Sequence, residues 1–226
     1  MGRLDRGETD DERSGRFVPT SWSLVERAAG GSASALEELA MRYWKPVYVY
    51  LRRKGLDVDD AADGTQDFFL HVLGHEFVGR ARREKGRFRS YLLAILEHQR
   101  ANEARVRGAA KRGRGRTLPL DPEKLEPWLA DSSLDPARAF HRQWALDVLA
   151  RAMAALAAEL GEPTYAVHRL HLAPAGRPPP YRESAARLGL SEAAFTSALH
   201  RSRRRLRALV LDEAGEGLDD LLEFLR

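Results

Sequence analysis

The chain contains no cysteine, which excludes disulfide staples and thiolate metal sites and is compatible with a reducing compartment. It shows no strand-like alternation of apolar and polar residues, so its periodic stretches read as helices and the fold class as all-α. No apolar run is long enough to cross a membrane, and the first residues, MGRLDRGETDDERSGR, carry no apolar signal core; a cytoplasmic protein without a membrane partner is expected. A P-loop and a G-x-S-x-G elbow are also missing, which argues against an enzyme. The pairs His71/His75 and His168/His171 have helical spacing. Neither has an acid placed as in a zinc-enzyme motif, so no metal site and no cofactor is expected.

What remains is 226 residues, 43% of them hydrophobic, enough for the cores of one large or two small domains. Lys and Arg number 37 against 33 Asp and Glu, a net +4 that hides local extremes. Between Arg100 and Arg116 every charged residue but Glu103 is basic, whereas from Asp212 onward every charged residue but Arg226 is acidic. Contact with a polyanion is therefore expected at particular places.

The stretch Tyr181 to Leu206, YRESAARLGLSEAAFTSALHRSRRRL, is the most informative. Ala185 is small enough for two helices to cross, and Gly189 can take the left-handed conformation that ends the first of them. The turn is Gly189, Leu190 and Ser191; Ser191 offers an N-cap hydroxyl and Glu192 a first-turn negative charge. This is a helix-turn-helix by mechanism. At about 100° per residue, Phe195, Leu199, Ser202, Leu206 and Leu209 share one side of the second helix, and Ser197, His200, Arg201, Arg204 and Arg207 the other. In such DNA-binding units the second helix enters the major groove. Thr196, Ser197, His200 and Arg201 are candidates for base reading, and Arg203, Arg204, Arg205 and Arg207 for phosphate neutralisation, with Ser191 at the helix start.

Residues 1–19 are polar and of mixed charge. A helix is expected from Ser34, where Ser34 and Glu37 form a capping box, and Pro46 within it predicts a kink or a break. In the next helix, about 59–75, Ala62, Thr65, Phe69, Val72 and Leu73 fall on one side. Asp60, Asp63 and Asp67 form an acidic stripe opposite, with Gln66 and Phe68 at its margins, suited either to solvent or to a basic partner helix. FVGRARREKGRFR, residues 77–89, reads as a basic loop leading into a helix at about 87–107. Cations beside an aromatic on irregular backbone are what a single-stranded nucleic acid requires: Arg82, Arg83, Lys85, Arg87, Phe88 and Arg89, with Arg100 and Arg105 further along. Gly108 to Pro136 is the linker candidate, after which Asp135 as N-cap and Pro136 start a long helix to Leu160, closed by Gly161. Two helical domains follow from this division, 20–107 and 136–211, joined by 108–135 and trailed by an acidic extension, 212–226.

Taken in order, TSWSLVERAA, ALEELAMRYWKPVYVYLRRKG, DDAADGTQDFF, KGRFRSYLLAILEH and AARLGLSEAAFTSALHRSRRRLR resemble the extracytoplasmic-function (ECF) sigma factors of bacterial RNA polymerase over about residues 20–210. The resemblance implies that DDAADGTQDFF docks on the polymerase core through Asp60, Asp63, Gln66, Asp67 and Phe68. It implies that the segment from Gly79 through Arg105 opens and reads the minus-ten promoter element, that the helix-turn-helix occupies the minus-thirty-five element, and that the linker runs toward the polymerase active-site channel. Core polymerase and promoter DNA are the implied partners, and an anti-sigma factor is a partner the family admits. Two other readings remain open: a stand-alone helix-turn-helix regulator, and an enzyme acting on nucleic acid.

Overall fold

The computed structural model describes residues 21–73, 77–106, 134–174, 176–215, 221 and 223–224, the side chains of 21, 73 and 103–106 excepted. Among the described residues every long element is an α-helix and none is a strand. The order is α1 (Ser21–Ala29), α2 (Ala33–Arg53), α3 (Val58–Leu73), α4 (Phe77–Arg80), a 3-10 turn (Arg83–Lys85), α5 (Phe88–Val106), α6 (Pro136–Leu160), α7 (Thr164–Leu172), α8 (Tyr181–Arg187) and α9 (Glu192–Ala214).

Local chemistry explains most boundaries. Asp135 caps α6, its Oδ1 accepting from the Arg138 N–H at 2.9 Å with Pro136 just inside, and Gly161 ends the helix at φ 67°. At α2 the cap is Ser32 and not the expected Ser34. Ser32 takes the extended conformation that an N-cap needs, after Gly31 at φ 88°, and its Oγ accepts from Ala35 N–H at 3.4 Å. Of the kink or break expected at Pro46, the break does not occur, since α2 continues through it to Arg53. Pro46, Val47, Tyr48 and Val49 are all buried, and tertiary packing holds the helix across the lost backbone bond.

The core divides at a different place from the sequence division. A large cluster joins Tyr43 and Val47 of α2, Phe68 of α3 and Phe88 and Leu92 of α5 to Phe140, Trp144 and Val148 of α6. Helix α6, assigned from sequence to the second domain, thus shares a core with the N-terminal helices and packs against both α2 and α9. The small cluster of Val167, Ala185, Phe195 and Leu199 belongs to α7, α8 and α9 alone. Of the expected linker, 108–133 lies outside the described residues, as does the N-terminal stretch 1–19.

Helix α9 connects the two clusters. Phe195 and Leu199 enter the small one, whereas Leu209, Val210 and Ala214 enter the large one together with Leu221. The acidic extension expected from 212 is therefore partly helix, since Asp212 and Glu213 lie in α9's last turn. Glu213 bridges two other helices, accepting from Arg42 of α2 at 3.0 Å and from Arg151 of α6 at 2.8 Å.

Candidate nucleic-acid interface

The turn between α8 and α9 has the chemistry that its residues specify. Gly189 takes φ 65°, and the N–H groups of Gly189 and Leu190 donate to Ala186 and Ala185 carbonyls at 3.1 and 3.0 Å, closing α8. The Ser191 Oγ accepts from Ala194 N–H at 3.2 Å and starts α9. With Phe195, Leu199 and Ser202 buried, α9 turns Ser197, His200, Arg201, Arg204 and Arg207 to solvent. The structure thus brings together the side chains expected at base edges and phosphates, with three departures. The Thr196 hydroxyl donates to the Glu192 carbonyl at 2.8 Å, and Arg203 Nη2 donates to the Tyr181 hydroxyl at 3.3 Å. Arg205 grips Glu159 of α6 with its Nε 2.8 Å from Oε2 and its Nη2 2.6 Å from Oε1. That bond holds the Glu159 carboxyl below its usual range and Arg205 above its own, so Arg205 is already paired with a carboxylate.

In α3 the Asp60, Asp63 and Asp67 side chains are exposed together on one face, with Gln66 half-buried beside them. Asp60 also lies in the first turn, where its N–H donates to Asp57 Oδ1 at 2.7 Å. Phe68 departs from the expectation. It is fully buried against Phe69, ring centroids 5.4 Å apart, and is unavailable to a partner. The 100° step places it between the acidic stripe and the apolar face, and packing draws a ring of that size inward.

The basic segment after α3 is more ordered than a loop, since α4 and the 3-10 turn occupy much of it. Arg82, Arg83 and Lys85 are exposed and Arg87 half-buried, with Arg82 Nη1 donating to the Ala81 carbonyl at 3.0 Å. Phe88 and Arg89 do not join them. Phe88 is buried edge-on to Tyr43 at 5.6 Å, and the Arg89 guanidinium lies 4.1 Å from the Trp144 ring centre. Both are structural because distant helices cover the start of α5, α1 and α2 over Phe88 and α6 over Arg89, which a local reading could not foresee. Arg100 is half-buried on α5, and the side chain of Arg105 lies outside those described.

Between α3, α4 and α5 opens a cleft of about 760 Å³ whose lining includes Asp67, His71, Phe77, Tyr91, His98 and Asn102. The Tyr91 hydroxyl donates to the Phe77 carbonyl at 2.7 Å, and His98 Nε2 is 3.0 Å from the Asn102 amide nitrogen. Tyr91 is half-buried and supplies part of the α5 wall. Nothing local marks it as a cleft residue, because the opposite wall comes from α3 and α4. Among the described residues no cluster of His, Asp and Glu fits a metal ion, and no helix is long and apolar enough to cross a membrane.

Comparison with protein families, curated proteins and solved structures finds no match to this chain. Interpretation therefore rests on its own residues.

Proposed function

We propose that the chain is a promoter-specificity subunit of the ECF sigma-factor type, which binds bacterial RNA polymerase core and directs it to promoter DNA. The observation that carries this reading is the segregation of charge. Asp60, Asp63 and Asp67 face outward together on α3, while Ser197, His200, Arg201, Arg204 and Arg207 face outward on α9. A basic helix face behind a capped turn suits a major groove, with small polar groups at base edges and arginines at phosphates. The acidic face suits a basic surface on a protein partner, and a polymerase core is the partner that the resemblance names.

Between these faces, Arg82, Arg83, Lys85, Arg87 and Arg100 are the candidate contacts for opened minus-ten DNA, and the neighbouring cleft has the volume and mixed lining to take an unstacked base. Extruding a base costs on the order of a few kcal/mol, which phosphate contacts and polymerase docking would offset. Phe68, Phe88 and Arg89 are left out of the interface because they are buried, and Arg205 is ranked below Arg201, Arg204 and Arg207 because Glu159 engages it.

The test is reconstitution with bacterial core polymerase. A stable complex and promoter-dependent transcripts are expected, and absence of a complex at low salt would sink the reading. Reversing charge with Asp63→Lys and Asp67→Lys is expected to weaken polymerase binding while leaving the chain's own duplex binding intact. A stand-alone helix-turn-helix regulator, the second reading, would bind specific duplex DNA through α9 and be indifferent to those substitutions in every assay.

A further inference from the structure

Helix α7 carries two histidines on its inner face, His168 and His171, and each ties α7 to a different helix. His168 Nδ1 is 2.9 Å from Ser202 Oγ of α9, and His171 Nε2 is 2.8 Å from Ser184 Oγ of α8. Both rings sit edge-on to Phe195, at 5.5 and 5.4 Å, and His171 also meets Tyr181 at 5.1 Å. They are 1% and 7% exposed, and among the described residues they complete a cluster whose buried hydrophobics are Val167, Ala185, Phe195 and Leu199.

The arrangement favours neutral imidazole. A serine hydroxyl can donate to or accept from a neutral ring in either tautomer, so each pair is satisfied uncharged. A second proton turns both ring nitrogens into donors, and His168 Nε2 is buried with no acceptor. Among the described residues no anion acts on either ring to balance the charge. From α9 the group facing the pair is Arg203, a cation; from α8 it is the Tyr181 hydroxyl, already taken by Arg203; within α7 each histidine faces the other. On α6, which also packs against α7, Glu159 is held by Arg205.

We propose that His168 and His171 form a proton-operated latch: protonation in a mildly acidic medium detaches α7 from α8 and α9 and disables the surface that α9 presents. Burial holds both imidazoles below the ordinary histidine value, with the charge of His171 depressing His168 further and that of Arg203 depressing His171. For a base depressed in the folded state, the unfolded state binds the extra proton first. The stability these groups provide is complete above the unfolded value of 6.5 and falls as pH drops below it toward the folded values. A surface that only gained positive charge on acidification would bind a polyanion more tightly. The latch therefore reverses the sign that surface charge alone would give.

The deciding experiment is an NMR titration of the full chain, following the histidine rings with Phe195 and Leu199 as reporters of the small cluster and Phe140 of the large one. His168 and His171 are expected to titrate below the ordinary histidine value, in step with loss of the Phe195 and Leu199 signals while Phe140 persists. Titration at ordinary values, or unchanged Phe195 and Leu199 signals once the rings are protonated, would overturn the latch. A second arm uses His168→Asn with His171→Gln, whose amides stand where Nδ1 and Nε2 stood but do not titrate. That variant is expected to lose the acid sensitivity of α7–α9, and retained sensitivity would overturn the proposal; should it not fold, the titration of the parent decides alone. The third arm rests on the proposed DNA-binding reading. Duplex affinity of the parent is expected to fall between about pH 7.5 and about pH 5.5, because the opened cluster takes up protons that the closed one excludes. A parent that binds no duplex at any pH counts against the DNA reading and leaves the ring titration to judge the latch.

Discussion

The two hydrophobic clusters are stabilised by different means. In the large one, rings and branched chains from α1 to α6 and from the end of α9 bury one another, with Phe88 edge-on to both Trp22 and Tyr43 and α6 packed against α2. Burial there is deep enough to push the Tyr43 hydroxyl up to about 12. The small cluster has little apolar area and relies on a ring of His168, His171, Tyr181 and Phe195 closed by two histidine–serine hydrogen bonds. A core built on area tolerates the loss of any one polar bond. A core built on a few rings and two polar pairs does not, and it is the one that supports the exposed face of α9.

The largest expected effect is therefore on the small cluster. Phe195→Ala removes the ring on which both histidines rest and is expected to cost about 3–5 kcal/mol. Hydrogen exchange should quicken throughout α7–α9 and leave α2 and α6 protected; equal acceleration in α2 would show that the two clusters unfold as one unit.

Next is Lys45→Met in the large cluster. Asp147 is nearly buried there, bonded to Lys45 at 3.3 Å and to the Gln143 amide at 3.1 Å. Burial raises its pKa from 3.8, so the carboxyl favours folding most at low pH and loses that contribution as pH rises through its folded value. Removing Lys45 leaves the carboxylate without its cation, so the variant should lose about 1–3 kcal/mol near neutrality and less near pH 4. A loss that grows with acidification, measured by denaturant unfolding, would contradict this.

Glu213→Gln comes third. It weakens the bridge from α9 to Arg42 and Arg151, which ties the helix that serves the small cluster to the large one, and is expected to lower stability by about 1 kcal/mol in thermal unfolding. The smallest change is Glu159→Gln. The Arg205 pair is exposed and should contribute no more than about 0.5 kcal/mol to stability. Freeing Arg205 adds a cation to the candidate DNA face, so duplex affinity at low salt should rise and its salt dependence steepen by about one counterion. An unchanged salt slope would remove Arg205 from that face.

What could be read before the structure follows from how far each cause reaches along the chain. Asp135 and Pro136 mark the start of α6, and Gly189 and Ser191 mark the turn into α9, because caps and left-handed turns are satisfied within a few residues. The two faces of α9 follow from helical periodicity alone, and so does the exposure of Asp60, Asp63 and Asp67. Even within that range the choice of Ser32 over Ser34 was missed, because both serines precede a good helical pattern and only the backbone at Gly31 separates them.

Everything that depended on a distant helix was hidden. Phe88 and Arg89 look like an aromatic and a cation available to nucleic acid until α6 brings Trp144 against Arg89. Arg205 resembles its neighbours until Glu159, far away in sequence, takes it. Composition and periodicity by themselves determined an all-helical chain with a capped, basic-faced helix near its end and an acidic helix near its beginning. Only the tertiary structure decided that α6 joins the N-terminal helices and that His168 and His171 close the small core, because burial is a property of what packs on a residue and not of the residues beside it.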